Sequence, residues 1–260
     1  MHAHPRPARR LTGAVLVTLP TLLAACASAA PAAAPTGPPD APTAEPAGAR
    51  DALAALAAAA RDRHLTARYT LTGTDGPPRD ITVTSANDGT WRVDVPGGAL
   101  GGTADVSLAA TADGLFQCGL PSAGRPGAAG CVRLGDRDQA VPAALDPRVQ
   151  HPFTDWLSVL TDRRAPLSVS AAAPPAGVTG SCYAVETTSA SLNPPLDVGI
   201  YCFDSDGTPT FLRAALGTLT LAGPPGPAPA TVSLAGPVVG SEPLGVATPS
   251  PSTGAGAGTS

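Results

Sequence analysis

The clearest pattern in the chain is a change of hydrophobic period near residue 64. Upstream, Asp51-Ala-Leu-Ala-Ala-Leu-Ala-Ala-Ala-Ala-Arg-Asp-Arg sets Leu53 and Leu56 three apart among alanines, with Asp51 as a candidate N-cap. Downstream, Leu65, Ala67, Tyr69 and Leu71 alternate with Thr66, Arg68, Thr70 and Thr72. A helical period gives way to strict alternation, so an amphipathic helix is expected to lead straight into a strand with one apolar side.

The alternation recurs between turn signals. Ile81 and Val83 alternate with Thr82 and Thr84 before Asn87-Asp88-Gly89, and Trp91, Val93 and Val95 alternate with Arg92 and Asp94 after it. Ala104, Val106, Leu108 and Ala110 follow Pro96-Gly97-Gly98, and Ala112-Asp113-Gly114 turns into Leu115-Phe116-Gln117-Cys118. A second helix is expected after Asp146-Pro147, a cap followed by a first-turn proline, with Phe153, Trp156, Leu157 and Leu160 on one face. Alternation resumes at Leu167, Cys182, Val198, Thr210, Thr218 and Thr231. Roughly nine or ten strands with two helices predict an α+β domain dominated by one antiparallel sheet, one face buried and one wetted.

Outside residues 50–244 the pattern disappears. Residues 27–49 (ASAAPAAAPTGPPDAPTAEPAGA) carry almost no large apolar side chain and read as a disordered Pro/Ala-rich tether, with a reach of up to about 70 Å at ~3.1 Å per residue. Residues 245–260 read as a disordered tail of low complexity. Residues 1–25 begin with His2, His4, Arg6, Arg9 and Arg10 and continue into an apolar run from Leu11 to Leu23, the order of a secretory signal. Leu23-Ala24-Ala25-Cys26 resembles the lipobox of bacterial lipoprotein signal peptides. That resemblance implies cleavage after Ala25 and a diacylglyceryl group on the Cys26 thiol, anchoring the chain at the outer face of the cytoplasmic membrane. Two acyl chains suffice for stable anchoring. The apolar run is too short to span a bilayer, and Pro20 interrupts it.

Charge and cysteine content narrow the chemistry. Loss of residues 1–25 removes three arginines, leaving 13 Arg and no Lys against 20 acids, a formal charge of −7. That acidity argues against a nucleic-acid-binding role, which needs clustered positive charge. Of five cysteines, Cys26 is assigned to lipid, and the other four are expected to form two disulfides outside the cytoplasm. Three connectivities are possible, and local geometry favours Cys118 with Cys131 and Cys182 with Cys202. The second pair is symmetric about Leu192, so a simple hairpin also sets Tyr183 against Tyr201. No C-x-x-C or H-x-x-x-H spacing occurs, so neither a metal site nor a redox dithiol is expected.

Catalytic motifs are missing. The chain has no G-x-S-x-G elbow, no Gly-rich loop ending in Lys-Ser/Thr and no H-E-x-x-H. His64 and His151, the histidines left after cleavage, read as surface or cap residues, and Asp204-Ser-Asp206-Gly207 reads as a hairpin turn lacking the downstream acid of a calcium loop. No enzyme, cofactor or metal is expected.

From Asp51 to Val238 the arrangement of elements resembles the LolA-like lipoprotein fold, to which actinobacterial LppX/LprG-type lipoproteins belong. The residues carrying the resemblance are the first helix with Thr66-Ala-Arg-Tyr-Thr-Leu, Asp113-Gly-Leu-Phe, the Phe153/Trp156 helix, and Tyr201 to Arg213. It implies a single curved antiparallel sheet, an incomplete barrel, with two helices on its concave side around an apolar cavity. The cavity lining would come from Leu65, Tyr69, Leu71, Ile81, Val83, Trp91, Val93, Val106 and Leu108 on strands and Phe153, Trp156 and Leu160 on the helix. The implied function is binding or carriage of a lipid or other hydrophobic ligand by a monomer in the cell envelope. The alternative is an envelope interaction module in which the same faces pack as a filled core and a protein or polymer is bound at the surface. Apolar alternation is what either needs.

Overall fold

The computed structural model describes residues 48–73, 76–190 and 194–248. Cys26, the signal-like segment, most of the expected tether and residues 249–260 lie outside them. The chain forms α1 (Gly48–Arg61), then β1 (Leu65–Thr72), β2 (Arg79–Ser85), β3 (Trp91–Ala99), β4 (Ala104–Thr111), β5 (Gly114–Gly119) and β6 (Gly130–Gly135). After α2 (Asp155–Thr161) come β7 (Leu167–Ala172), β8 (Ser181–Thr187), β9 (Gly199–Phe203), β10 (Pro209–Ala214) and β11 (Gly217–Leu221). All eleven strands belong to one open antiparallel sheet in the order β6-β5-β4-β3-β2-β1-β11-β10-β9-β8-β7. Two meanders are thus joined where β1 meets β11, and the segment containing α2 carries the chain from one edge strand to the other.

The register puts the alternating apolar residues on one face. Tyr69 faces Ile81, Val83 faces Val93, and Val93 faces Leu108 in one half of the sheet. Leu71 faces Leu219, which faces Leu212, which faces Tyr201 in the other. Leu53 and Ala57 of α1 and Trp156, Leu157 and Leu160 of α2 pack on this inner face, all buried. Each such large side chain contributes about 1.5–3 kcal/mol by leaving water. Arg50 fastens the start of α1 to the sheet edge, donating to the carbonyls of Leu167 (2.9 Å) and Asp162 (2.7 Å).

Both disulfides join facing residues of neighbouring strands. Cys118–Cys131 ties β5 to β6 and Cys182–Cys202 ties β8 to β9, with Tyr183 opposite Tyr201 as the hairpin reading expects. Their sulfurs lie on the face away from the helices. Bridges of this kind persist in oxidising compartments outside the cytoplasm. No helix among the described residues is long and apolar enough to cross a membrane.

Several sequence expectations are corrected. The first helix begins at Gly48, so the tether boundary at 49 falls inside it, and Asp51 sits in the first turn, paired with Arg163 at 3.0 Å rather than capping. Good helix formers extend backward across Ala49. The second helix begins at Asp155, not after Asp146-Pro147: Arg148 adopts a left-handed φ of 66° and Pro152 falls in a separate 3-10 turn, His151–Phe153. Residues 231–234 form no ladder strand. They belong to a C-terminal strap, in which Val232 donates to Thr90 Oγ1 and Pro237 and Val239 bond the backbone of Cys131. The strap then turns inward, and Gly245 and Val246 bond Leu100, Gly101 and Ala144, so the ordered fold passes the expected boundary at 244. Backbone bonding holds Gly245 and Val246 where composition suggested a disordered tail.

Candidate functional site

The twelve residues expected to line a cavity do meet on the inner face, but they leave little room. Leu65, Tyr69, Val83, Trp91, Val93 and Phe153 border a notch of about 50 Å³ between α1, α2 and the sheet, together with Leu157 and Pro209. Leu71, Ile81, Val106, Leu108, Trp156 and Leu160 do not border it; they are buried in packing. Such a space holds about one or two waters, whereas a drug-sized ligand takes roughly 300 Å³ or more. The aromatic rings fill the rest. Phe153 lies 4.8 Å from Tyr69, centroid to centroid, and Trp156 meets Tyr201 edge-on at 6.3 Å. The Tyr69 hydroxyl donates to the Pro209 carbonyl at 3.0 Å, and burial pushes its ionisation well above the ordinary tyrosine range. Arg61 and Arg63 stand at the notch's edge, the latter paired with Asp206 at 2.7 Å.

A polar cluster sits beside this packing. His151 is held between Asp146, 2.8 Å from Nε2, and Asp155, 2.6 Å from Nδ1, and stacks on Trp156 at 5.5 Å. Burial alone would lower its pKa. The hydrogen bonds and charges of Asp146 and Asp155 outweigh that and hold the imidazole at about 9. Burial opposes ionisation of both aspartates too, yet His151 keeps each below the ordinary carboxylate value. The cluster continues through the Arg148 backbone N–H, which donates to Asp146, to the Arg148 guanidinium on Asp197, whose carbonyl accepts from the Tyr201 hydroxyl. With both ring nitrogens engaged, His151 has none left to activate a nucleophile or bind a metal. Its role is to fix the approach to α2. The signal in the sequence was Asp-x4-His-x3-Asp, readable only once residues 146–155 fold into a turn.

The other expected features separate cleanly. His64 is exposed beyond α1. Asp204 to Gly207 form the β9–β10 turn, where Gly207, at φ 86°, packs so closely on Ala59 and Ala60 that a Cβ would lie 2.5 Å from the Ala60 nitrogen. Sequence reasoning missed a groove at the opposite end of the sheet, where the β5–β6 loop faces the strap. It is open to solvent, holds about 620 Å³ and is lined by Leu120, Val132, Val239 and Leu244 with Arg125 and Glu242 among small residues and prolines. Gln117, buried beside it, clips the strap: its amide donates to the Leu244 carbonyl (2.9 Å) and its oxygen accepts the Leu244 N–H (2.6 Å).

No protein-family model matches the chain, and no curated protein matches it in sequence.

Proposed function

We propose that the chain is an exported lipoprotein of the cell envelope, anchored through an acylated Cys26, that works as a tethered interaction module with a filled core. The observation that carries this reading is the packing of α1 and α2 on the inner face, where the aromatic contacts leave about 50 Å³ between the helices and β1 to β3. The open eleven-stranded sheet with helices on one face supports a LolA-like architecture, and the two disulfides support export. The tether provides reach, and the domain meets its partner through its surface.

Carriage of a hydrophobic ligand is a second reading, favoured by the groove of about 620 Å³ at the strap. A fluorescent fatty-acid probe separates the two. The module reading expects no saturable binding of the probe, and submicromolar binding abolished by bulky substitution in the groove overturns it. Anchoring is tested by Cys26→Ser, which should move the protein from the membrane fraction to the soluble one; a variant still in the membrane fraction contradicts the lipid anchor.

A further inference from the structure

The face of the sheet away from the helices is covered on both flanks and open between them. On one flank the strap is fastened at Thr90 and Arg92, and Ser107, Ala109 and Phe116 of β4 and β5 are buried. On the other, Phe211 and the Cys182–Cys202 bridge are buried with Val178 packed against them. Between the flanks, β2, β1, β11 and β10 present hydroxyls and guanidinium groups in register. Arg68 faces Thr82, Thr70 faces Thr220, and Thr218 faces Arg213. These threonines are half-buried and both arginines exposed. None of these hydroxyls and neither guanidinium meets a hydrogen-bond or ion-pair partner among the described residues.

Strand propensity accounts for threonine at such positions. It does not account for two unpartnered arginines on a chain of formal charge −4. Among the described residues, the one carboxylate on these four strands that shares this face is Asp80, opposite Thr70, while Arg92 and Asp94 on bordering β3 pair with each other at 2.7 Å. Locally the face is cationic where the molecule is acidic. Arg68 and Arg213 stand two strands and four residues apart in the ladder, about 16 Å, a span suited to an extended polymer rather than a small ligand.

We propose that this face docks an acidic polysaccharide, its hydroxyls bonding the threonine row and its carboxylates the two guanidinium groups. The proposal rests on the interaction-module reading and names the partner's class. The test measures retention of the full chain, in detergent, on immobilised alginate and on neutral dextran. Retention is expected on alginate alone, weakening with salt. Arg68→Gln with Arg213→Gln should reduce it about a hundredfold, roughly tenfold for each charge-assisted contact, at unchanged thermal stability. Arg163→Gln with Arg164→Gln, on the helix side, should leave it unchanged. No retention on alginate, equal retention on dextran, or equal weakening by the helix-side pair overturns the proposal. So does capture of a protein through Arg68 and Arg213 in place of the polysaccharide. Lipid found in the purified protein would remove the module reading without altering this readout, so the two fail separately.

Discussion

The His151 clamp makes the stability of the domain depend on pH in a defined window. An imidazole raised from its ordinary value near 6.5 to about 9 favours the charged form by about 3 kcal/mol in the fold. Asp155 is 59% exposed, so solvent screening reduces the useful part to about 2 kcal/mol. The pKa is higher folded than unfolded, so this stability is fully present below about pH 6.5 and is lost as pH rises through about 9. Asp146 and Asp155 have the opposite sense: their depressed values give stability that is present above ~4, the unfolded range, and lost as pH falls. Maximum stability should therefore lie between about pH 4 and 6.5. The perturbation is His151→Gln, which keeps a polar side chain but removes the titrating charge. Urea unfolding of both proteins with disulfides intact, from pH 5 to 10, should show a gap of about 2 kcal/mol at pH 6 that closes by pH 10. A gap that stays constant across that range would refute the electrostatic account and leave His151 as packing only.

Three further outcomes follow from the fold. Leu160→Ala, emptying a position buried at 2% exposure, should cost about 2–5 kcal/mol and lower the Tm by the matching amount in calorimetry. Gln117→Leu should cost about 2 kcal/mol, since two bonds to Leu244 are lost and its backbone is left unpaired; hydrogen exchange of residues 241–248 should speed up while the central strands keep their protection. Replacing Cys182 and Cys202 together by Ala should cost about 3 kcal/mol on the chain-entropy estimate for a separation of 20 residues, measured as a shift in the urea midpoint.

Strand alternation was legible because the sheet has one wet face. Tyr69, Ile81, Val93 and Leu219 are inward by parity alone, and the register confirms it. β6 was not legible, since Gly130-Cys-Val-Arg-Leu-Gly is short and flanked by glycine; its place is fixed by the Cys118 bridge and the strap. The strap itself lacks periodicity because its bonds are made singly, at Thr90, Cys131 and Gln117, rather than along a ladder. The start of α2 was misplaced because Asp146-Pro147 has the chemistry of a helix start, while the aspartate is engaged by Arg148, Gln150 and His151 instead. Interior volume was the feature least readable in residues, because the same apolar positions serve a core or a cavity. It is decided by how closely Phe153 approaches Tyr69 and Trp156 approaches Tyr201.

The filled interior is therefore the claim on which the functional account stands. Native mass spectrometry of the full chain, purified from its host membrane, tests it most directly. The account predicts the mass of the chain from Cys26 with its covalent acyl groups and nothing further. A non-covalent lipid that survives purification and leaves only on activation would contradict it.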